Sequence, residues 1–166
     1  MRRVYGRLLL AYFLATTPPY VWGADISLRI QEFGLFGTER SQTFADPTHV
    51  AGHRHIGRHV LLQTTDRVPL KKGVTFGLAV ALDGPIDGRE WTLRRVTRFP
   101  VLGLTNPRTG KAQLYEERLF ILRVGETATV SFTFDHEWEM VPGIWAFEYW
   151  HDEEKLAEKI FVVAKP

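Results

Sequence analysis

Apolar and polar residues alternate with a period of two along most of this chain, and Gly, Pro and Asp interrupt the alternation at short intervals. In VTFGLAVAL, residues 74–82, Val74, Phe76, Leu78, Val80 and Leu82 share one face; Thr75, Gly77, Ala79 and Ala81 share the other. ETATVSFTF, residues 126–134, repeats the arrangement, with Ala128, Val130, Phe132 and Phe134 inward and Thr127, Thr129, Ser131 and Thr133 outward. A threonine-bearing face suits an antiparallel strand with one wet side. The same reading predicts strands over residues 26–33, 59–65, 90–99, 115–124, 144–150 and 155–164. VPLKKG, DGPIDG, TNPRTGK, VGE and VPG between them carry turn chemistry. About seven to eight short strands without intervening helices predict an antiparallel all-β sandwich rather than a parallel α/β sheet. Residues 34–57 hold no sustained period and read as a long irregular connection.

The amino terminus breaks the pattern. Arg2, Arg3 and Arg7 precede the apolar run from Leu8 to Ala15, and Pro18 and Pro19 follow, which is the order of a secretory signal peptide. The run is far shorter than the roughly 20 residues that span a bilayer, so no transmembrane anchor is expected after processing. Cleavage after Gly23 or Ala24 leaves one domain over residues 24–166, in the periplasm or secreted. It also alters the charge. The full chain carries 21 basic and 19 acidic residues, but residues 1–23 hold three of the basic ones and no acid, so the processed chain is formally −1. Nucleic-acid binding, which needs an excess of Lys and Arg, loses its support. With no cysteine, the exported domain must rely on its core rather than on disulfides.

Three segments carry a family resemblance. The first holds Gln63, Thr64, Asp66 and Pro69, followed by Gly73, Phe76 and Gly77, with an extra Thr65 that affects only the local turn. The second holds Glu139, Val141, Pro142, Gly143 and Trp145; the third holds Leu156, Lys159 and Phe161. Together they resemble a bacterial family, domain of unknown function 3859, over roughly residues 28–163. The resemblance implies an exported immunoglobulin-like sandwich and brings no activity or site residues with it.

Candidate chemistry is sparse. No cysteine nucleophile, GxSxG or HExxH is present; Ser27, Ser41 and Ser131 lack accompanying signatures, and TNPRTGKA lacks the residues a phosphate loop needs. Glycoside hydrolysis, whose two carboxylates can lie far apart in sequence, has no positive support. A non-catalytic chain is therefore expected. DHEWE, residues 135–139, reads as a solvated loop at a strand end, and HDEE, residues 151–154, as a hairpin turn. In PGIWAFEYW, Trp145, Phe147 and Tyr149 alternate on a core face. Trp150, with Tyr149 near the strand end, is the candidate surface for stacking on a ligand or partner.

HVAGHRHIGRH, residues 49–59, gathers four of the six histidines. Gly52 and Gly57 argue against a helix there. In a strand, at about 3.3 Å per residue, His53 and His55 lie roughly 7 Å apart, while His49 and His59 are over ~30 Å apart. Only His53 and His55 then reach one ion, with Asp46, His136 or His151 as candidate third ligands. Zinc asks for three or four protein ligands; Cu(II) or Ni(II) accepts fewer. The plain alternative is a polar connection in which Arg54 and Arg58 interleave with histidine, and a pH-dependent contact is a third possibility. The expectation is an exported, non-catalytic interaction or ligand-binding module of the bacterial envelope, with an unidentified envelope protein or ligand as partner. A metal-binding protein (Zn, Cu or Ni) using residues 49–59 is the alternative.

Overall fold

A computed structural model describes residues 26–165. The expected signal peptide, residues 1–23, lies outside them. The chain forms β1 (Ser27–Ala45), β2 (His53–Gln63), β3 (Arg67–Pro69), β4 (Thr75–Asp83), β5 (Glu90–Arg98), β6 (Leu104–Asn106), β7 (Lys111–Gln113), β8 (Tyr115–Arg123), β9 (Thr127–Thr133), β10 (Gly143–His151) and β11 (Glu154–Ala164). One 3-10 turn, Glu137–Glu139, separates β9 from β10. One sheet has the order β2-β1-β4-β9, the other β3-β11-β10-β5-β8, and β6 with β7 forms a small ribbon. All pairings are antiparallel except β3 with β11. The architecture is the expected immunoglobulin-like sandwich. Among the described residues, no helix is long and apolar enough to cross a membrane.

Between the sheets lies an aromatic core. Phe76 on β4 meets the rings of Phe132, Phe134, Trp145, Phe147 and Phe161 at centroid distances of 5.4–6.3 Å. Trp145 is fully buried, and its Nε1–H donates to the Val141 carbonyl at 3.0 Å, so its one polar atom is satisfied. Removing a ring such as Phe76 from this packing costs about 3–5 kcal/mol. The β10–β11 hairpin turns at Asp152, whose φ of 49° is the left-handed geometry a two-residue hairpin demands. HDEE is therefore the expected turn.

Residues 34–57 are not the irregular connection their composition suggested. They supply most of β1 and the start of β2, a strand pair interrupted by register shifts at Leu35/Phe36 and Glu39/Gln42. The amino-terminal half of β1 pairs with β4 and the carboxy-terminal half with β2. Bulges of this kind bend a strand and increase its twist. The consequence is a curled sheet: β2 and β9 stand at opposite ends of the strand order, yet His59 Nε2 on β2 lies 2.7 Å from Ser131 Oγ on β9. The face of β4 bearing Thr75, Gly77, Ala79 and Ala81, read as outward from its alternation, is enclosed inside this curl and buried. Its side chains are small because there is little room. A Cβ on Gly77 would lie 2.0 Å from the Val130 carbonyl oxygen.

Candidate functional site

Along β2 the odd-numbered side chains turn inward and the even-numbered ones outward, so His53, His55, Gly57 and His59 face β9 while Arg54, Ile56 and Arg58 face solvent. His53 and His55 meet a carboxylate there: Asp135 Oδ2 lies 3.3 Å from His53 Nε2 and 2.8 Å from His55 Nε2. One ligand atom from each of the three residues falls within 4.8 Å of the others. His55 Nδ1 lies 3.0 Å from Thr43 Oγ1 on the neighbouring strand, which fixes the ring and leaves Nε2 toward Asp135.

Asp135 is held by its own turn. The buried Glu139 carboxylate accepts the backbone N–H groups of both Asp135 and His136 through Oε2, each at 2.7 Å. This clamp closes the segment as it leaves β9 and presents Asp135 to the histidines. Burial pushes the Glu139 carboxyl up to about 7, against the pull of those two N–H donors. DHEWE is thus not a solvated loop but the structure that completes the cluster.

The cluster stands at the rim of a cleft of about 510 Å³ lined by β2, β9 and the inner faces of β5 and β8. Pairing of β5 with β8 sets Arg95 opposite Arg118 and Thr97 opposite Glu116. These four polar residues occupy sandwich-facing positions beside Leu93 and Phe99, which are core. Glu116 accepts the Val50 N–H at 2.6 Å; burial raises its carboxyl, opposed by that hydrogen bond and by Arg95. Burial alone would raise the Asp46 carboxyl too, but hydrogen bonds from Thr48 and Arg118 outweigh it and hold it well below the usual range. His49 stacks on Phe132 at 5.5 Å and is pushed down to about 4, first by burial and then by the charge of His53.

Of the third ligands named from sequence, none completes the histidine pair. Asp46 is occupied by Arg118, Arg54 and Thr48. His151 packs edge-on against Trp91 and directs Nδ1 at the Thr92 carbonyl. The His136 ring stands edge-on to His53 at 5.8 Å but stacks on Trp138, outside the ligand group. The carboxylate that meets the pair is its neighbour, Asp135. Tyr149 is fully buried, paired with Phe120 on the core side of β10, and offers no surface for stacking. Trp150 emerges on the opposite face, where Arg94 and Lys155 each lie 5.2 Å from its ring and Nε1–H donates to Glu148. The two side chains are thus split by strand alternation rather than joined in one platform.

Ser131 and His59 also make a pair, but the histidine is otherwise hydrogen-bonded to the Gly57 backbone, and Ser131 sits mid-ladder opposite Gly77. A nucleophile so placed has neither a carboxylate behind its base nor a turn of free N–H groups to receive an oxyanion.

Solved structures support the fold. An immunoglobulin-like protein from Pseudomonas aeruginosa is 25% identical, with a TM-score of 0.58, over 86% of this chain and 100% of that one. Matches to β-glucosidases from Listeria innocua and Kluyveromyces marxianus reach TM-scores of 0.41 and 0.36, at 11% and 13% identity over 84% of this chain in each case. They cover only 16% and 14% of those enzymes and carry no weight. No curated protein matches the sequence. The model of the family described as domain of unknown function DUF3859 matches residues 25–163, and the chain belongs to that family.

Proposed function

We propose that the protein is an exported, non-catalytic binding module of the bacterial envelope, and that its ligand includes a divalent transition-metal ion held by His53, His55 and Asp135. The observation that carries this reading is the convergence of two imidazole nitrogens and a carboxylate oxygen on one point from segments about 80 residues apart. Zinc bonds of about 2.0–2.1 Å at tetrahedral angles separate ligands by about 3.3 Å. Asp135 already stands at that distance from His53, and His55 needs to withdraw by about 0.5 Å. Three protein ligands leave a coordination position open toward the cleft. Export is supported by the arginine-led apolar segment before residue 24, and the non-catalytic reading by the incomplete Ser131–His59 pair.

The test is calorimetric titration of tag-free, chelator-stripped protein (residues 24–166) with Zn(II), Cu(II) and Ni(II). One ion per chain should bind at micromolar concentration or tighter, and His55→Ala or Asp135→Asn should weaken it at least about 100-fold. Absence of saturable binding by all three ions would end the proposal. Cell fractionation with amino-terminal sequencing tests export separately.

A further inference from the structure

Arg95 is a half-buried cation lining the cleft without an ion-pair partner among the described residues. Its Nε is buried and has no hydrogen-bond partner among the described residues, and no carboxylate there comes within ion-pair distance of it. The nearby acids are committed elsewhere: Asp46 to Arg118, Arg54 and Thr48, and Glu116 to the Val50 N–H. A donor nitrogen shut off from water is rarely left without a partner.

We propose that the inner end of this cleft is a binding site for a small anion bearing a carboxylate or phosphate group, with Arg95 as its principal partner. The planar guanidinium presents a fork of donors that matches either group two bonds at a time. Arg118, opposite Arg95 in the β5–β8 ladder, adds positive potential, and the buried Thr97 lines the same cleft with a hydroxyl. At about 510 Å³ the space suits a small organic anion. The site requires no metal, so it stands or falls apart from the histidine cluster. Where an ion is bound at His53, His55 and Asp135, the same anion would meet a cation at the rim and a fork at the inner end.

The experiment uses chelator-stripped, tag-free protein in a buffer without phosphate or carboxylate. Inorganic phosphate, acetate and succinate are titrated separately, followed by calorimetry and by two-dimensional amide and arginine-side-chain NMR. At least one anion should bind saturably at a 1:1 ratio in the millimolar range or tighter. It should shift the Arg95 Nε–H signal and the amides of residues 95–97, 116–118 and 129–133. Binding of phosphate alone assigns a phosphoryl ligand; binding of acetate or succinate alone assigns a carboxylic acid. Arg95→Gln should weaken binding at least tenfold. Should that variant fail to fold, a folded Arg95→Lys, which keeps the charge and loses the fork, should weaken it at least fivefold. No saturable binding, shifts confined to arginines and lysines outside the cleft, or undiminished affinity in a folded Arg95 variant would overturn the proposal.

Discussion

Acid should destabilise this protein through His49 in particular. His49 lies in the turn between β1 and β2, stacked on Phe132, with Nδ1 accepting the Ala51 N–H at 3.1 Å and standing 3.6 Å from Glu116. Burial holds the ring neutral, and the charges of His53, Arg95 and Arg118 add to that while Asp46 opposes it. Its folded value of about 4 is below the ordinary 6.5, so between those two pH values the unfolded chain binds more protons than the folded one. Stability is then fully present above pH 6.5 and declines as pH falls toward 4. At 1.36 kcal/mol per pH unit the whole shift is worth about 3 kcal/mol, of which about 2 kcal/mol is lost by pH 5. Urea unfolding of the wild type and of His49→Gln at pH 8, 6 and 5, in chelator, measures it. The variant loses a stacked ring and starts less stable, so the comparison is between losses on acidification. Glu116 and Glu139, raised carboxyls that act in the opposite sense, remain in both chains and cancel. The wild type should lose about 2 kcal/mol more than His49→Gln between pH 8 and 5. Equal losses, to within about 0.5 kcal/mol, would refute the assignment.

Two further perturbations follow from the geometry. Gly77→Ala drives a Cβ to 2.0 Å from the Val130 carbonyl oxygen, a backbone atom that cannot rotate away. It should cost more than the ~1–3 kcal/mol of ordinary overpacking. Gly37→Ala meets only the Leu62 side chain at 3.5 Å or more and should be neutral or slightly stabilising, and thermal unfolding of the two variants side by side tests the contrast. Glu139→Ala removes the shared acceptor of two N–H groups in the Asp135 turn and should cost about 2–4 kcal/mol. In the same variant, metal affinity should fall roughly 10–100-fold, with much of it restored by Glu139→Gln; undiminished metal affinity in Glu139→Ala would remove the clamp from the account of the site.

The sandwich was legible wherever apolar residues mark the buried face. VTFGLAVAL and ETATVSFTF became β4 and β9 because Phe76, Leu78, Phe132 and Phe134 record the core directly. Only the end of β2, from His59, reads as strand, because its earlier inward face is His53, His55 and Gly57: the period of two is present, but in position rather than in hydrophobicity. β1 reads as strand only through residue 33 because the bulges beyond it reset the alternation. Sequence spacing brought out the histidine pair that the structure sets against one carboxylate, since neighbours two apart on a strand share a face. It could not find Asp135, whose approach depends on the curl of the sheet across 80 positions. A clue to the cleft was available. Arg95 and Thr97 fall where Leu93 and Phe99 mark an inward face, and polar residues in such a register point to an interior that is not sealed.

The pairs that assemble the cleft have a temporal consequence. Val50 with Glu116, His59 with Ser131, and His53 with Asp135 join positions 66, 72 and 82 residues apart. Closures of that length are slow steps in folding. A nascent chain extending only through β8 already contains every histidine of β2 and every arginine of the cleft, yet lacks the carboxylate that brings the pair to a point. No early intermediate can therefore be templated by the ligand through this three-residue set. An ion bound as proposed would be captured only after the chain through Asp135 has closed on β2, late among the long-range contacts.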